Sequence, residues 1–203
     1  CLQYAIDNKC GIHWKSCRAA AITGRVDCLR LLHQHHAAWG AVAAGGAARH
    51  GHFECLQYLH ENGCPWDHTV TSDAAHGGHM ECLRYALDRG CPAQVTAVEN
   101  AAKKGHLACL QFLLDQSVPM SATAASDAAS GGQAECLALL HERGCPIDGK
   151  AFVRAVTGGH RKCLQYLLDH GRTEDLAVCS QAAKGGNLDC LRYAHENGCP
   201  WDA

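Results

Sequence analysis

Apolar positions recur along this chain in a fixed order. Cys55, Leu56, Tyr58 and Leu59 fall on one face at helical spacing. The same order returns around Cys1, Cys28, Cys82, Cys109, Cys136, Cys163 and Cys190, each 27 residues from its neighbour. A period of that size marks an array of stacked repeats. Each unit predicts two short helices. The first ends in an Ala pair (Ala74-Ala75, Ala101-Ala102, Ala128-Ala129, Ala182-Ala183), whose first member also stands at Ala20, Ala47 and Ala155. A Gly follows, four residues before each central Cys, from Gly24 through Gly51, Gly78, Gly105, Gly132 and Gly159 to Gly186. Gly can take positive φ there and close the first helix. The second helix ends near Gly63 or its equivalent. All five prolines sit just past it, where Pro stops a helix at little cost. One first helix looks weak, because Gly45 and Gly46 lie inside it and an interior Gly costs roughly 1 kcal/mol relative to Ala.

These elements predict an all-α helix-pair solenoid in one array over residues 1–203. Residues 1–14 are a half repeat and residues 15–203 are seven helix pairs. Helices this short are marginal alone, so stacking must hold them. The chain opens inside one repeat and closes just after another, so it reads as a piece of a longer array, elongated and curved.

Charge narrows the partners. Eighteen basic and twenty acidic residues give a formal net charge of -2, scattered along the chain with no basic stripe, which argues against nucleic acid. No apolar run reaches the ~18–20 residues of a membrane helix. Fifteen cysteines raise a disulfide scaffold. Equivalent cysteines of stacked repeats would stand ~8–10 Å apart, beyond the ~7 Å Cα separation a disulfide tolerates. The thiols are therefore read as small hydrophobes in a reducing, cytoplasmic setting.

The landmarks resemble the ankyrin repeat. Thr69, Thr96 and Thr123 stand at its opening Thr, Ala74-Ala75 at its Ala pair, and Gly51-His52, Gly78-His79, Gly105-His106 and Gly159-His160 at its Gly-His. Gly63-Cys64-Pro65 replaces Gly-Ala-Asp. The units are six residues short of the family's usual length, and the gap falls where its β-hairpin finger would sit. The resemblance is to shortened repeats of a Cys-Pro-Trp type, and it implies a monomeric, non-enzymatic protein that binds a protein partner and needs no cofactor. In ankyrin-like arrays the variable face of the first helices lines the binding groove. It carries Arg49, Asp73, His76, Asn100, Lys103, Lys104, Asp127, Arg154, Gln181 and Lys184, of mixed sign.

Two other chemistries compete. His52 and Cys55, His79 and Cys82, and His106 and Cys109 are each three residues apart, a spacing that can put two zinc ligands on one helix face. The His position also accepts Arg25, Gln133 and Asn187, so a hydrogen bond at the start of the second helix is the simpler role, with the Cys in the core. A Cys-His nucleophile would need one exposed, activated thiolate. The central cysteines share one buried phase, and Cys17 and Cys179 share another with Val98 and Phe152. Trp39, Trp66 and Trp201 occupy an apolar phase read as packing between repeats. His33, His60, His141 and His195 alternate with Leu, which places them on a half-buried outer face.

Overall fold

Two closing turns recur from repeat to repeat among the described residues. At the first, the Gly51 N–H donates to the Ala48 carbonyl (3.3 Å) and the His52 N–H to the Ala47 carbonyl (2.9 Å). At the second, the Gly63 N–H donates to His60 (3.1 Å) and the Cys64 N–H to Leu59 (2.9 Å). This double bond pattern around a left-handed residue satisfies helix-end carbonyls that would otherwise lie unpaired. The second cysteine, where a described unit has one, is thus a cap residue. Cys64 and Cys91 are buried, and their Sγ groups donate to the Gly40 carbonyl (3.5 Å) and the Asp67 carbonyl (3.0 Å). The expected glycines at the end of the first helix all have φ between 69° and 79°. At the end of the second helix, Gly63, Gly90, Gly144 and Gly198 share positive φ with two residues that carry a Cβ, His36 and Ser117, both at 58°.

The computed structural model describes residues 14–170 and 178–199. Fourteen helices and no strand occur among them. The first helices of successive repeats are α1 (Trp14–Ile22), α3 (Ala41–Arg49), α5 (His68–Gly77), α7 (Val95–Lys104), α9 (Ala124–Ser130), α11 (Gly149–Thr157) and α13 (Val178–Lys184). The second helices are α2 (Val26–Gln34), α4 (Phe53–Glu61), α6 (Met80–Asp88), α8 (Leu107–Asp115), α10 (Ala134–Glu142), α12 (Arg161–His170) and α14 (Leu188–Glu196). Most of the residues assigned to the leading half repeat, together with Trp201, lie outside the described residues.

The chain divides into two compact units, Cys1–Ala97 and Val98–Ala203, and the division falls inside α7. Within the first unit, α1 packs on α3 and α3 on α5. Within the second, α9 packs on α11 and α11 on α13. The Ala pairs lie in these contacts; Ala47, Ala48, Ala74 and Ala75 are fully buried in the first unit, and Ala128 and Ala129 in the second. Small side chains let the helix backbones approach. Behind them the second helices bury Leu56, Leu59 and Leu83 in the first unit and Leu110, Leu113, Leu137, Leu140, Leu164 and Leu167 in the second. Each such Leu contributes roughly 1.5–3 kcal/mol.

Three expectations change. Tyr58 does not join Cys55, Leu56 and Leu59 in the core; it is half-buried at its edge. The first helices run beyond the Ala pair, since the closing Gly sits farther on: α5 continues to Gly77 before Gly78 turns the chain. The helix with two glycines is a complete helix, Ala41–Arg49. A Cβ on Gly46 would come within 2.9 Å of Ile22 Cγ1, and one on Gly45 within 2.6 Å of Asp73 Oδ2. Packing against the neighbouring first helices needs both glycines and outweighs their poor helix propensity.

Candidate functional site

The variable face of the first helices stands on that fixed layer of alanines. In the first unit it brings Arg49, Asp73 and His76 together. Arg49 Nη1 donates to Asp73 Oδ1 (3.2 Å) and Arg49 Nη2 to His76 Nε2 (2.9 Å), which casts that nitrogen as the unprotonated one. Gly45 opens the room for the Asp73 carboxylate. Burial pushes the Asp73 carboxyl up from its ordinary range, opposed chiefly by Arg49 and then by His76 and His50.

In the second unit the face carries Asn100, Lys103 and Lys104 on α7, Asp127 on α9, Arg154 on α11, and Gln181 and Lys184 on α13. Arg154 donates to Asp127 across one repeat. Asn100 and Gln181 are half-buried, whereas Lys103, Lys104 and Lys184 are exposed. Lys103 and Lys104 form no salt bridge among the described residues. Gly131 holds the last turn of α7 against α9, where a Cβ would meet the Lys103 carbonyl oxygen at 1.9 Å.

His52 and the three Cys of the zinc alternative are used otherwise. The His52 ring donates Nε2–H to the Ile22 carbonyl (2.9 Å), and His160 likewise to Ser130 (3.1 Å). At the same phase the Asn187 amide donates to the Val156 and Thr157 carbonyls (2.7 and 2.9 Å). The bond expected at the start of the second helix is therefore a tie to the end of the preceding repeat's first helix. It fits because Gly stands opposite: a Cβ on Gly24 would lie 2.6 Å from His52 Nδ1. Cys55, Cys82 and Cys109 are buried in the core. No group of three or more His, Cys, Asp or Glu among the described residues is arranged to hold a metal ion.

Burial also sets the thiol chemistry. It pushes Cys55, Cys82, Cys136 and Cys163 up to about 11, and it raises Cys17. An activated nucleophile needs the opposite shift. Cys28 is half-buried; the other twelve described cysteines are buried, and all thirteen are free thiols.

A set of His–Tyr pairings between repeats was not read from the sequence. His33 Nδ1 is hydrogen-bonded to the Tyr58 hydroxyl (3.1 Å), His60 to Tyr85 (3.0 Å) and His141 to Tyr166 (3.0 Å). His60 stacks on Trp66 with ring centroids 3.9 Å apart, and Trp66 meets Tyr85 edge-on, which bears out packing between repeats for this tryptophan. The signal was present as covariation between repeats. Where the His phase holds Leu87 or Leu114, the residue 25 positions later is Phe112 or Leu139, without a hydroxyl. Leu168 with Tyr193 departs from the rule, and there the Arg161 guanidinium lies 5.0 Å from the Tyr193 ring centroid.

Comparison with known proteins agrees with this architecture. A family model described as Ankyrin repeats (3 copies) matches residues 44–124, and one described as Ankyrin repeats (many copies) matches residues 17–60. Together they span more than half of the chain. Among solved structures, the crystal structure of the human ASB11 ankyrin repeat domain is similar, with a TM-score of 0.73 and 21% sequence identity. The match covers 92% of this chain and 99% of that one; at such identity it speaks for the fold alone. No curated protein matches the sequence.

Proposed function

Because this chain belongs to the ankyrin repeat family, we propose that it is a non-enzymatic scaffold that binds a protein partner through the variable face of its first helices. Its fold is the all-α helix-pair solenoid of that family. One observation carries the proposal: variable, largely polar side chains stand on a first-helix layer fixed by buried alanines and glycine contacts. Binding to a surface already ordered avoids much of the entropy cost of association. Arg49, Asp73, His76, Asn100, Lys103, Lys104, Asp127, Arg154, Gln181 and Lys184 form the proposed contact set. Residues 1–203 act in this reading as one monomeric array.

The free, buried thiols support a reducing, cytoplasmic setting for the protein. No described helix is long and apolar enough to cross a membrane. The test is capture of the partner by this protein, repeated with Lys103→Ala, Lys104→Ala and Arg154→Ala combined. Loss of capture with the fold retained by circular dichroism is the expected result. Unchanged capture sinks the proposal.

A further inference from the structure

Sorting charges by helix layer reveals a segregation that the linear sequence hides. In the second unit, the first-helix residues from Val98 onward carry Lys103, Lys104, Lys150, Arg154 and Lys184 against Glu99 and Asp127. The second helices of that unit carry Asp115, Glu135, Glu142, Asp169, Asp189 and Glu196 against Arg161, Lys162 and Arg192. The first unit repeats the arrangement. Its first helices hold Lys15, Arg18 and Arg49 against Asp73, and its second helices hold five acidic residues against Arg30 and Arg84.

Exposure sharpens the contrast. The acids of the first-helix layer are withdrawn: Asp127 is 20% exposed and neutralised by Arg154, and Glu99 is half-buried. The bases project: Lys103, Lys104, Lys150 and Lys184 are all exposed. The exposed charge a partner meets on this face is therefore positive. The acids of the second helices stay at the surface: Glu135, Glu142, Asp115 and Asp189 are exposed, Asp115 in an ion pair with Arg143 (3.0 Å).

From this we infer that the first-helix face of the second unit binds an acidic, Asp- and Glu-rich segment of a partner protein, with Lys103, Lys104 and Lys184 as its cationic contacts. The inference rests on the interaction reading above and narrows it to a partner chemistry. A protein segment fits better than nucleic acid. A handful of cations would neutralise few phosphates, and the overall charge of -2 with an acidic second-helix layer opposes a long polyanion. A short acidic segment lying along the first helices meets only the basic layer. Complementary charge of this kind sets specificity and the rate of encounter.

The experiment is selection of a random-peptide phage library against the full chain, with binding of selected peptides measured at low and high salt. Asp- and Glu-rich sequences should dominate, and their affinity should fall as salt rises. Lys103→Glu/Lys104→Glu/Lys184→Glu should weaken them by at least about tenfold, roughly the 1.4 kcal/mol that three surface ion pairs supply together. The milder triple Gln variant should lose less, with both variants melting like the parent chain. Neutral or basic peptides that depend on the same lysines would overturn the acidic assignment and leave the first-helix reading standing. Acidic peptides bound equally well by the Glu variant would overturn both. Preferential binding of a single-stranded DNA oligonucleotide, or no enrichment at all, would also overturn the acidic assignment.

Discussion

Ser117 offers a direct test of how the repeats close. It occupies the left-handed position after α8 that Gly144 fills after α10 and Gly90 fills after α6, with φ of 58°. Its N–H donates to the Leu114 carbonyl (3.0 Å), and the next residue, Val118, donates to Leu113 (3.0 Å), the same closing turn made by the glycines. The side chain is exposed, so Ser117→Gly removes little packing. A Cβ in the left-handed region costs roughly 1–2 kcal/mol, and the larger freedom of Gly in the unfolded chain returns part of that gain. The net expectation is a stabilisation of about 0.5–1 kcal/mol. For a chain of this size that is roughly a 1–4 °C rise in melting temperature. Thermal and urea melts read the change, and hydrogen exchange should show slower opening of the last turn of α8. Two controls isolate the cause. Ser117→Ala keeps the Cβ and should gain nothing, and Gly90→Ser should lose about what Ser117→Gly gains. Equal gains from Ser117→Ala and Ser117→Gly would refute the reasoning.

Other outcomes follow from the same contacts. Gly131→Ala should destabilise by about 2–3 kcal/mol in urea melts, because its Cβ would strike the Lys103 backbone oxygen at 1.9 Å. His52→Ala should cost about 1 kcal/mol by leaving the Ile22 carbonyl without its donor, whereas His52→Asn should recover part of that loss, as Asn187 does at the same phase. The buried thiols fix the alkaline limit. Burial raises Cys55, Cys64, Cys82, Cys91, Cys136 and Cys163 from 9.0 to about 11, so the folded chain holds protons that the unfolded chain releases. Their stabilising effect is complete below pH 9.0 and is lost as pH rises through about 11. Each thiol gives up on the order of 1 kcal/mol by one pH unit above the free-thiol value. Melts from pH 8 to pH 10 should therefore fall steeply, and a Cys136→Ala/Cys163→Ala variant should show a shallower fall.

The repeat logic was legible because the contacts that hold a solenoid repeat with the sequence. The 27-residue spacing, the closing Gly at each first helix and the Cys-Leu core positions all carry local signals, and among the described residues the structure places them as read, except that Cys28 and Leu191 are half-buried. What the sequence obscured depends on neighbours one repeat away. Gly45 and Gly46 look like helix breakers until Asp73 and Ile22 are seen to fill their space. His52 looks like a local cap or a ligand until its ring reaches the Ile22 carbonyl. The His60–Tyr85 bond spans 25 residues and shows only when aromatic and His phases are compared between repeats. The charges look scattered for a related reason. The two helices of each unit alternate along the chain, so a basic layer and an acidic layer interleave in sequence and separate only in the fold. The contact set is less legible than the fold. Arg49 with Asp73 and Arg154 with Asp127 are partnered within the chain, and the exposed lysines beside them carry the accessible charge.

The most direct measurement places a photo-crosslinking side chain at Lys103 or Lys184 on the first helices and at Arg84 or Glu142 on the second. Adducts to one discrete protein from the first-helix positions, with none from the second-helix positions, are the predicted result. Adducts to that protein from Arg84 or Glu142 alone would contradict the account.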